Sequence, residues 1–323
     1  MTSIVITQHE EDAAFVQECI DQIRATIDIK DYEIIIVDDC SAIPLVLGNE
    51  YNDIKIIRNR ENVGVGQSFD AGVKIAKGED LIIMACDIRF INNGWASRLL
   101  MEIQEHPRSI VCTGCVTLYQ DDAIFDDNTT KRIGYGATIL MYHDNISNPS
   151  KQNGFRSIID AKWEASKPEE SYDIPCVLGA IYAVKKEWYN HLDGFWGHRQ
   201  WGTLEPYLSL KSWLFGGSCR IVKTIKTGHI FSRNIHNVSL VSVAYNKLLV
   251  ATLLFDATDR GRLIQFLNDT NDVRRALRIF GDNIEGIEAK RSDVRSKIIC
   301  SVDDFCDKFK IDMRKDNNIV VNI

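Results

Sequence analysis

The sequence predicts an α/β fold, a mixed and mostly parallel sheet flanked by helices, continued by a C-terminal helical extension. Three observations predict it. Short β-branched runs alternate with stretches of helical spacing through the first 116 residues. The run Glu33–Val37 is apolar without alternation, as a strand covered on both faces must be. From about residue 238 to 310 the helical spacing continues with no strand between.

The elements follow in order. Ile4-Val-Ile-Thr7 reads as a first strand, and Asp12–Ile27 as a helix with apolar positions at Phe15, Cys19, Ile20, Ile23 and Ile27. The second strand, Glu33–Val37, runs into Asp38-Asp39. Ile54–Ile57 is a third strand, Gln67–Ala76 a helix and Leu81–Ala85 a fourth strand. A helix over Trp95–Glu105 and a strand over Ser109–Val116 complete the alternating part. Alternation of this kind stacks parallel strands between helices, with ligands beyond the C-terminal strand ends. Residues 117–172 are polar and loop-like, an insertion by composition. Pro175–Val184 returns to an apolar strand, Pro206–Phe215 is helical before Gly216-Gly217, and Cys219–Thr227 holds short strands. The predicted boundary puts an α/β domain in residues 1–235 and a helical subdomain in 236–323. Leu240–Phe255, interrupted by Asn246 and Lys247, is too short and too polar for a membrane span and is expected to be a buried helix.

Composition narrows the function classes. The 323 residues are 45% hydrophobic and 26% charged, with 20 Gly and 6 Pro, which excludes collagen-like and largely disordered chains. The N-terminal stretch lacks a basic segment before its apolar run, so no secretory leader is expected. Nine scattered cysteines, an odd number, suit reduced thiols and a cytoplasmic location. Cys112-Thr-Gly-Cys115 has the spacing of half a zinc site and lacks an evident second half. The net charge of -7 hides an asymmetry: residues 1–219 hold 20 Lys+Arg against 32 Asp+Glu, and residues 220–300 hold 14 against 8. The basic block 220–300, with Lys223, Lys226, Arg233, Arg274, Arg275, Arg278, Lys290, Arg291 and Arg295, is what contact with a phosphate backbone needs. Its bland counterpart is a set of solvated helix faces paired with Asp272, Glu288 and Asp293.

The strongest local feature is carboxylates at strand ends. Asp38 and Asp39 follow one buried strand and Asp87 another, and parallel strands put these ends on one edge. Carboxylates there can hold a hard divalent cation or accept hydrogen bonds from sugar hydroxyls and a base N–H. Equally, Asp-Asp can simply cap the strand and turn the chain. Asn62-Val-Gly64-Val-Gly66 precedes a helix, but Phe69 stands where a dinucleotide fingerprint needs its third glycine. His229 sits in Gly228-His-Ile-Phe231 and Glu205 in Trp201-Gly-Thr-Leu-Glu205-Pro206. Alone, the first reads as a core histidine and the second as a favourable charge at a helix start.

As an ordered set these pieces resemble glycosyltransferases of the GT-A (Rossmann-like) fold, most closely family 2 enzymes and the polypeptide N-acetylgalactosaminyltransferases. The resemblance is carried by Val37-Asp-Asp-Cys-Ser41, Asn62-Val-Gly64, the strand ending at Asp87, Gly179-Ala-Ile-Tyr182, Gly194-Phe195, Trp201-Gly202, Trp213-Leu-Phe-Gly-Gly217 and Gly228-His-Ile-Phe-Ser-Arg233. It implies that Thr7 and Asp38 or Asp39 hold the nucleotide, with Asn62, Gly64 and Gly179 lining the donor and Trp201 flanking the donor sugar. Asp87 matches the last acid of the family's Asp-x-Asp and His229 its third metal ligand, for Mn²⁺ or Mg²⁺. Glu205 falls where many family 2 enzymes carry the base for the acceptor hydroxyl. Two positions depart from the pattern: Ala85 replaces the first acid, and Leu204 replaces the Glu that usually precedes position 205. The implied activity is transfer of a sugar from a nucleotide diphosphate sugar, expected to be UDP-linked, to a hydroxyl acceptor beside the 117–172 insertion. The acceptor is left open between a saccharide, a protein and a hydroxylated DNA base. The rivals are a catalytically impaired nucleotide-sugar-binding module and a nucleotidyltransferase. The latter should carry a Gly-rich basic loop after the first strand, where this chain has Gln8-His-Glu-Glu11.

Overall fold

The computed structural model describes residues 1–90, 93–118, 133–144, 156–165, 172–178, 181–231, 239–267 and 269–313. Its centre is a sheet in the order β3-β2-β1-β4-β10-β6-β11-β5. These strands are β1 (Thr2–Gln8), β2 (Tyr32–Asp38), β3 (Lys55–Arg58), β4 (Asp80–Ala85), β5 (Ile88–Phe90), β6 (Ser109–Leu118), β10 (Ile181–Lys185) and β11 (Ser218–Ile230). The four strands β3, β2, β1 and β4 are mutually parallel, as are β6 and β11. Between these blocks β10 runs antiparallel to both β4 and β6, and β5 closes the far edge antiparallel to β11.

The continuous apolar runs have a direct cause. In β1, Val5 faces one buried layer while Ile4 and Ile6 face the other, and β2 divides Ile35 and Val37 from Ile34 and Ile36 in the same way. Helices α1 (Ala13–Thr26) and α3 (Trp95–Glu105) cover the Ile4 side, through Val16, Ile20, Ile23, Leu99 and Ile103. Helix α2 (Val65–Ile75) covers the Val5 side through Phe69 and Val73. Gly72 lets that helix close on the sheet, because a Cβ there would meet Val5 Cγ1 at 2.3 Å. Asp12 starts α1 by accepting from the Phe15 amide at 2.8 Å.

The same core continues into α4 (Lys186–Leu192), α5 (Leu204–Leu214) and the C-terminal helices α6 (Leu240–Leu254), α7 (Ala257–Phe266), α8 (Asn271–Asp282), α9 (Ile284–Lys297) and α10 (Val302–Phe309). One buried cluster joins Val5 and Phe69 to Tyr207, Leu249, Phe280 and Phe305. Helix α6 is buried all round from Ala244 to Leu254, as the apolar run 240–255 predicted.

Three expectations need correction. The described part of 117–172 includes regular structure: β7 (Ile133–Gly134) and the hairpin of β8 (Ala137–Asp144) with β9 (Arg156–Trp163). Polar composition hid it, since its strands alternate and their apolar members Ile139, Met141 and Ile158 face the shared core. Of the apolar stretch 175–184, the described strand is Ile181–Lys185, and the described residues before it make an isolated bridge in which the Cys176 carbonyl accepts from the Ala137 amide. Finally, 219–227 forms one long strand whose register against β6 shifts between Val222 and Lys226, a bulge in place of a break.

Candidate functional site

The C-terminal ends of β1, β2 and β4 lie side by side, with Thr7 level with Val37 and Ala85. Thr7 is buried there, and its carbonyl accepts from the Cys86 amide at 3.2 Å, so the ladder carries the chain to the turn at Cys86-Asp87. Strand β5 leaves that turn and pairs with β11, which sets His229 opposite Ile88. The result is a contact between distant parts of the chain: His229 Nε2 lies 3.0 Å from Asp87 Oδ2. Burial works against charge on His229, yet the adjacent carboxylate raises it to about 10. Asp87 Oδ1 and His229 Nδ1 are both buried with no hydrogen-bond partner. Only after losing the proton that this contact favours can the His229 imidazole join the Asp87 carboxylate as a donor set for Mn²⁺ or Mg²⁺, so a bound cation would take the place of the shared proton. Among the described residues no group of three His, Cys, Asp or Glu side chains could hold a metal, so a cation here would need further ligands from outside these side chains.

Arg89 props the turn from beneath. It is buried, donates from Nη1 to the carbonyls of Cys86 and Ile88 at 3.1 Å each and from Nη2 to Glu18 at 2.9 Å, and lies over the Phe15 ring. Glu11, beyond β1, is half-buried; burial first, then the Asp87 charge, raises its pKa. Neither residue stands out in the sequence, since a basic side chain beneath an acidic turn shows only in three dimensions.

The Asp38-Asp39 pair divides its labour within the protein. Asp38 Oδ1 accepts from the Ser41 amide at 3.0 Å and hydroxyl at 2.7 Å, and Oδ2 from Arg58 at 2.5 Å. Burial opposes its charge, and these bonds outweigh it and lower its pKa. Asp39 Oδ1 accepts from Asn59 at 2.8 Å and the Val63 amide at 3.0 Å, and Oδ2 from the Gly64 amide at 2.7 Å. Both carboxylates thus tie the loops that follow β2 and β3, the capping alternative, at the same strand ends where the nucleotide role was expected of them. Asn62 donates to His9 at 2.8 Å, on the same rim. Gly64, at φ 90°, bridges Gln200, and a Cβ would fall 2.1 Å from the Gln200 Cα. Its glycine serves this close approach.

Glu205 opens α5 and is half-buried. Tyr182, on β10, donates to its Oε1 at 3.3 Å. Burial raises the Glu205 pKa, against the lowering effects of a backbone bond, Tyr182 and the His229 charge. Trp201 precedes it on the loop and is 56% exposed. Gly179 lies outside the described residues, as does Arg233. Cys112 and Cys115 are buried in β6, and all nine cysteines are free thiols.

The basic block is largely self-compensated where it is described. Arg291 pairs with Glu288, Lys290 with Asp193 and Asp293, Lys297 with Asp293 and Arg274 with Asp269. Glu288 and Asp293 are among the expected partners. Arg275 and Arg278 are exposed on α8. No described helix is long and apolar enough to cross a membrane.

Residues 3–158 match the family described as Glycosyl transferase family 2. The chain is 26% identical over 211 residues to polypeptide N-acetylgalactosaminyltransferase 11 of Xenopus tropicalis, a match spanning 62% of this chain and 33% of that relative. It thus spans about a third of the length of that curated relative. Among solved structures, GalNAc-T7 with UDP, GalNAc and Mn²⁺ superposes with a TM-score of 0.63 at 18% identity, covering 96% of this chain and 56% of that one. S. aureus TarS 1-349 in complex with UDP-GlcNAc gives 0.52 at 12% identity, covering 96% and 89%. The fold these share with the chain is GT-A.

Proposed function

We propose, from the match of residues 3–158 to glycosyl transferase family 2 and the GT-A frame, that the chain is a metal-assisted glycosyltransferase. It moves a sugar from a nucleotide diphosphate sugar, UDP-linked, to a hydroxyl acceptor, and the similarity to the polypeptide N-acetylgalactosaminyltransferases favours retention at the anomeric carbon over inversion. The observation that carries this reading is the Asp87–His229 pair, two metal-competent side chains with spare buried atoms at the C-terminal edge of the sheet. The solved relatives with UDP, GalNAc and Mn²⁺ or with UDP-GlcNAc support the donor class.

Asp87 and His229 would hold Mn²⁺ or Mg²⁺, which when bound supplies positive charge against the leaving diphosphate. The loops tied by Asp39, with Asn62 and Gly64, form the nucleotide rim, and Thr7 completes the donor side. Trp201 presents an exposed aromatic face for the sugar. Glu205, bonded to Tyr182, orients substrate in a retaining transfer; in an inverting one it would be the base that takes the acceptor proton. Nine unpaired thiols favour a reducing compartment, the cytoplasm.

The test is UDP release from UDP-GalNAc, UDP-GlcNAc and UDP-glucose with and without Mn²⁺, followed by NMR of the product anomer. Release from none of them would leave the second reading, a binding module that has lost catalysis, favoured by Ala85 where the family pattern has an acid. For the acceptor we favour a saccharide or protein hydroxyl. A hydroxylated DNA base is supported only by Arg275, Arg278 and their neighbours on α8. Duplex DNA binding at two salt concentrations checks it, because phosphate contacts weaken steeply with salt.

A further inference from the structure

Between His198 and Glu205 the backbone takes a costly path. Gln200 has φ 44°, Gly202 φ 101° and Thr203 φ 64°. For glycine this is free, but for a glutamine and still more for a β-branched threonine it is strained. Thr203 does not repay the strain locally. It occupies the N-cap of α5, yet makes no side-chain cap bond, and its buried Oγ1 has no partner. Such a conformation persists only where surrounding structure over-determines it.

The over-determination comes from α6, beyond the residues the family match covers. Asn246 is completely buried and turns its whole amide on this loop. Its Oδ1 accepts from the Arg199 amide at 2.8 Å, and its Nδ2 faces the carbonyls of Arg199 at 2.8 Å, Gly202 at 3.1 Å and Trp201 at 3.2 Å. One turn earlier, Ser242 donates to the Gln200 side chain at 3.0 Å. Val243 packs so closely that a Cβ on Gly202 would sit 2.9 Å from its Cγ2. From the other side, His198 Nε2 donates to the Gly202 carbonyl at 2.6 Å. The Gln200 amide donates to the Val63 carbonyl at 3.2 Å, beside the turn that Asp39 holds. A continuous chain of hydrogen bonds therefore links α6 to the end of β2, and Trp201 and Glu205 ride on its middle.

The geometry points to Asn246 as a positioning residue for sugar transfer: it fixes the strained 199–203 loop, and through it Trp201 and the start of α5. This rests on the transferase reading above. The C-terminal helices then complete the donor side of the site, in addition to packing against the sheet. Asn246 touches no substrate, so its removal should disturb the reacting geometry while leaving nucleotide binding in place.

The experiment uses the full chain with Asn246→Leu, similar in size but unable to donate or accept, and Ser242→Ala as a milder variant at the partly exposed end of the clamp. Amide exchange of residues 199–203 should rise about tenfold or more in N246L, with β1, β2 and β4 unchanged. With the best donor of the UDP-sugar panel, kcat for UDP release should fall on the order of a hundredfold while UDP affinity stays within about threefold. S242A should shift both readouts in the same direction by about threefold, and it decides the question if N246L does not fold. Folded variants with unchanged loop exchange and kcat would overturn the role of Asn246. A wild-type chain that releases UDP from no donor would overturn the transferase reading itself, a separate and distinguishable failure.

Discussion

His229 and Asp87 stand 142 residues apart in sequence and 3.0 Å apart in space, brought together because the three-residue strand β5 pairs with the far end of β11. Two protein ligands fall short of the six or more a hard cation takes. Metal affinity should therefore depend on nucleotide. Titration calorimetry is expected to show weak Mn²⁺ binding to the chain alone and strong binding with UDP present. Asp87→Ala and His229→Ala should each abolish that coupling and cost on the order of a hundredfold or more in UDP release. Strong Mn²⁺ binding without UDP would contradict this donor set.

Asp38 provides a different kind of test, because its carboxylate is spent on Ser41, Leu45 and Arg58. Asp38→Asn should destabilise the fold by about 1–3 kcal/mol, the usual cost of stranding buried partners. UDP affinity should change little beyond that. The pH dependence follows from a pKa held below the ordinary carboxylate value of 3.8. Folding linked to such a group is favoured above the unfolded pKa and loses that contribution as pH falls through the folded one. Urea melts of wild type and D38N should therefore converge in strong acid. A large loss of UDP affinity at unchanged stability would instead give Asp38 the nucleotide-holding role that its resemblance implies.

Much of this architecture is legible in the one-dimensional pattern, for a physical reason. Strands β1, β2 and β4 bury both faces, so their apolar runs admit no other placement, and Trp95–Glu105 shows its amphipathic period in full. Strand β10 gives no sign of its antiparallel direction, which is set by pairing partners and not by its own residues. The site divides in the same way. The strand-end positions of Asp38, Asp39 and Asp87 follow from the strand pattern, but their roles depend on who sits opposite: Arg58 and Ser41 absorb one, the 63–64 amides another, and a histidine the third. Asn246, an interruption in an apolar helix, is visible in sequence as an anomaly and explicable only once its partners 44–47 residues away are in place.

Glu205 separates the two stereochemical courses. A base for an inverting transfer must be ionised to take the acceptor proton. Its raised pKa would then give a rate that climbs with pH through a limb above the usual carboxylate range. Glu205→Gln would erase that limb and cost about 10²–10⁴-fold. In the retaining course proposed here, E205Q should keep UDP-sugar turnover within about tenfold of wild type, with the same pH profile. A loss beyond a hundredfold together with a vanished limb would establish inversion.

Asp70, Tyr189 and Lys211 form a polar knot around the 194–195 turn. Lys211, buried in α5, donates to the Gly194 carbonyl and lies 3.9 Å from the centre of the Tyr207 ring. Asp70, on α2, accepts from Tyr189 at 2.7 Å and from the Phe195 amide at 3.0 Å. Burial lowers Lys211 to about 7, against the Asp70 charge, and raises Asp70 to about 6. The signs oppose one another. Between the ordinary carboxylate range and about 6 the folded chain keeps a proton on Asp70 that the unfolded chain has lost, so stability falls as pH rises. Above about 7 the unfolded chain holds a proton on Lys211 that the folded one has shed, so stability rises with pH. This knot thus contributes least near neutrality. Lys211→Met alone should cost about 1–3 kcal/mol, because it strands the Gly194 carbonyl and removes a positive charge that favours ionised Asp70. The double variant Asp70→Asn, Lys211→Met should recover much of that loss and flatten the pH profile of the melting temperature. A double variant no better than K211M would mean that the two groups hold the α2–α5 contact independently, each through its own bonds to the 194–195 turn.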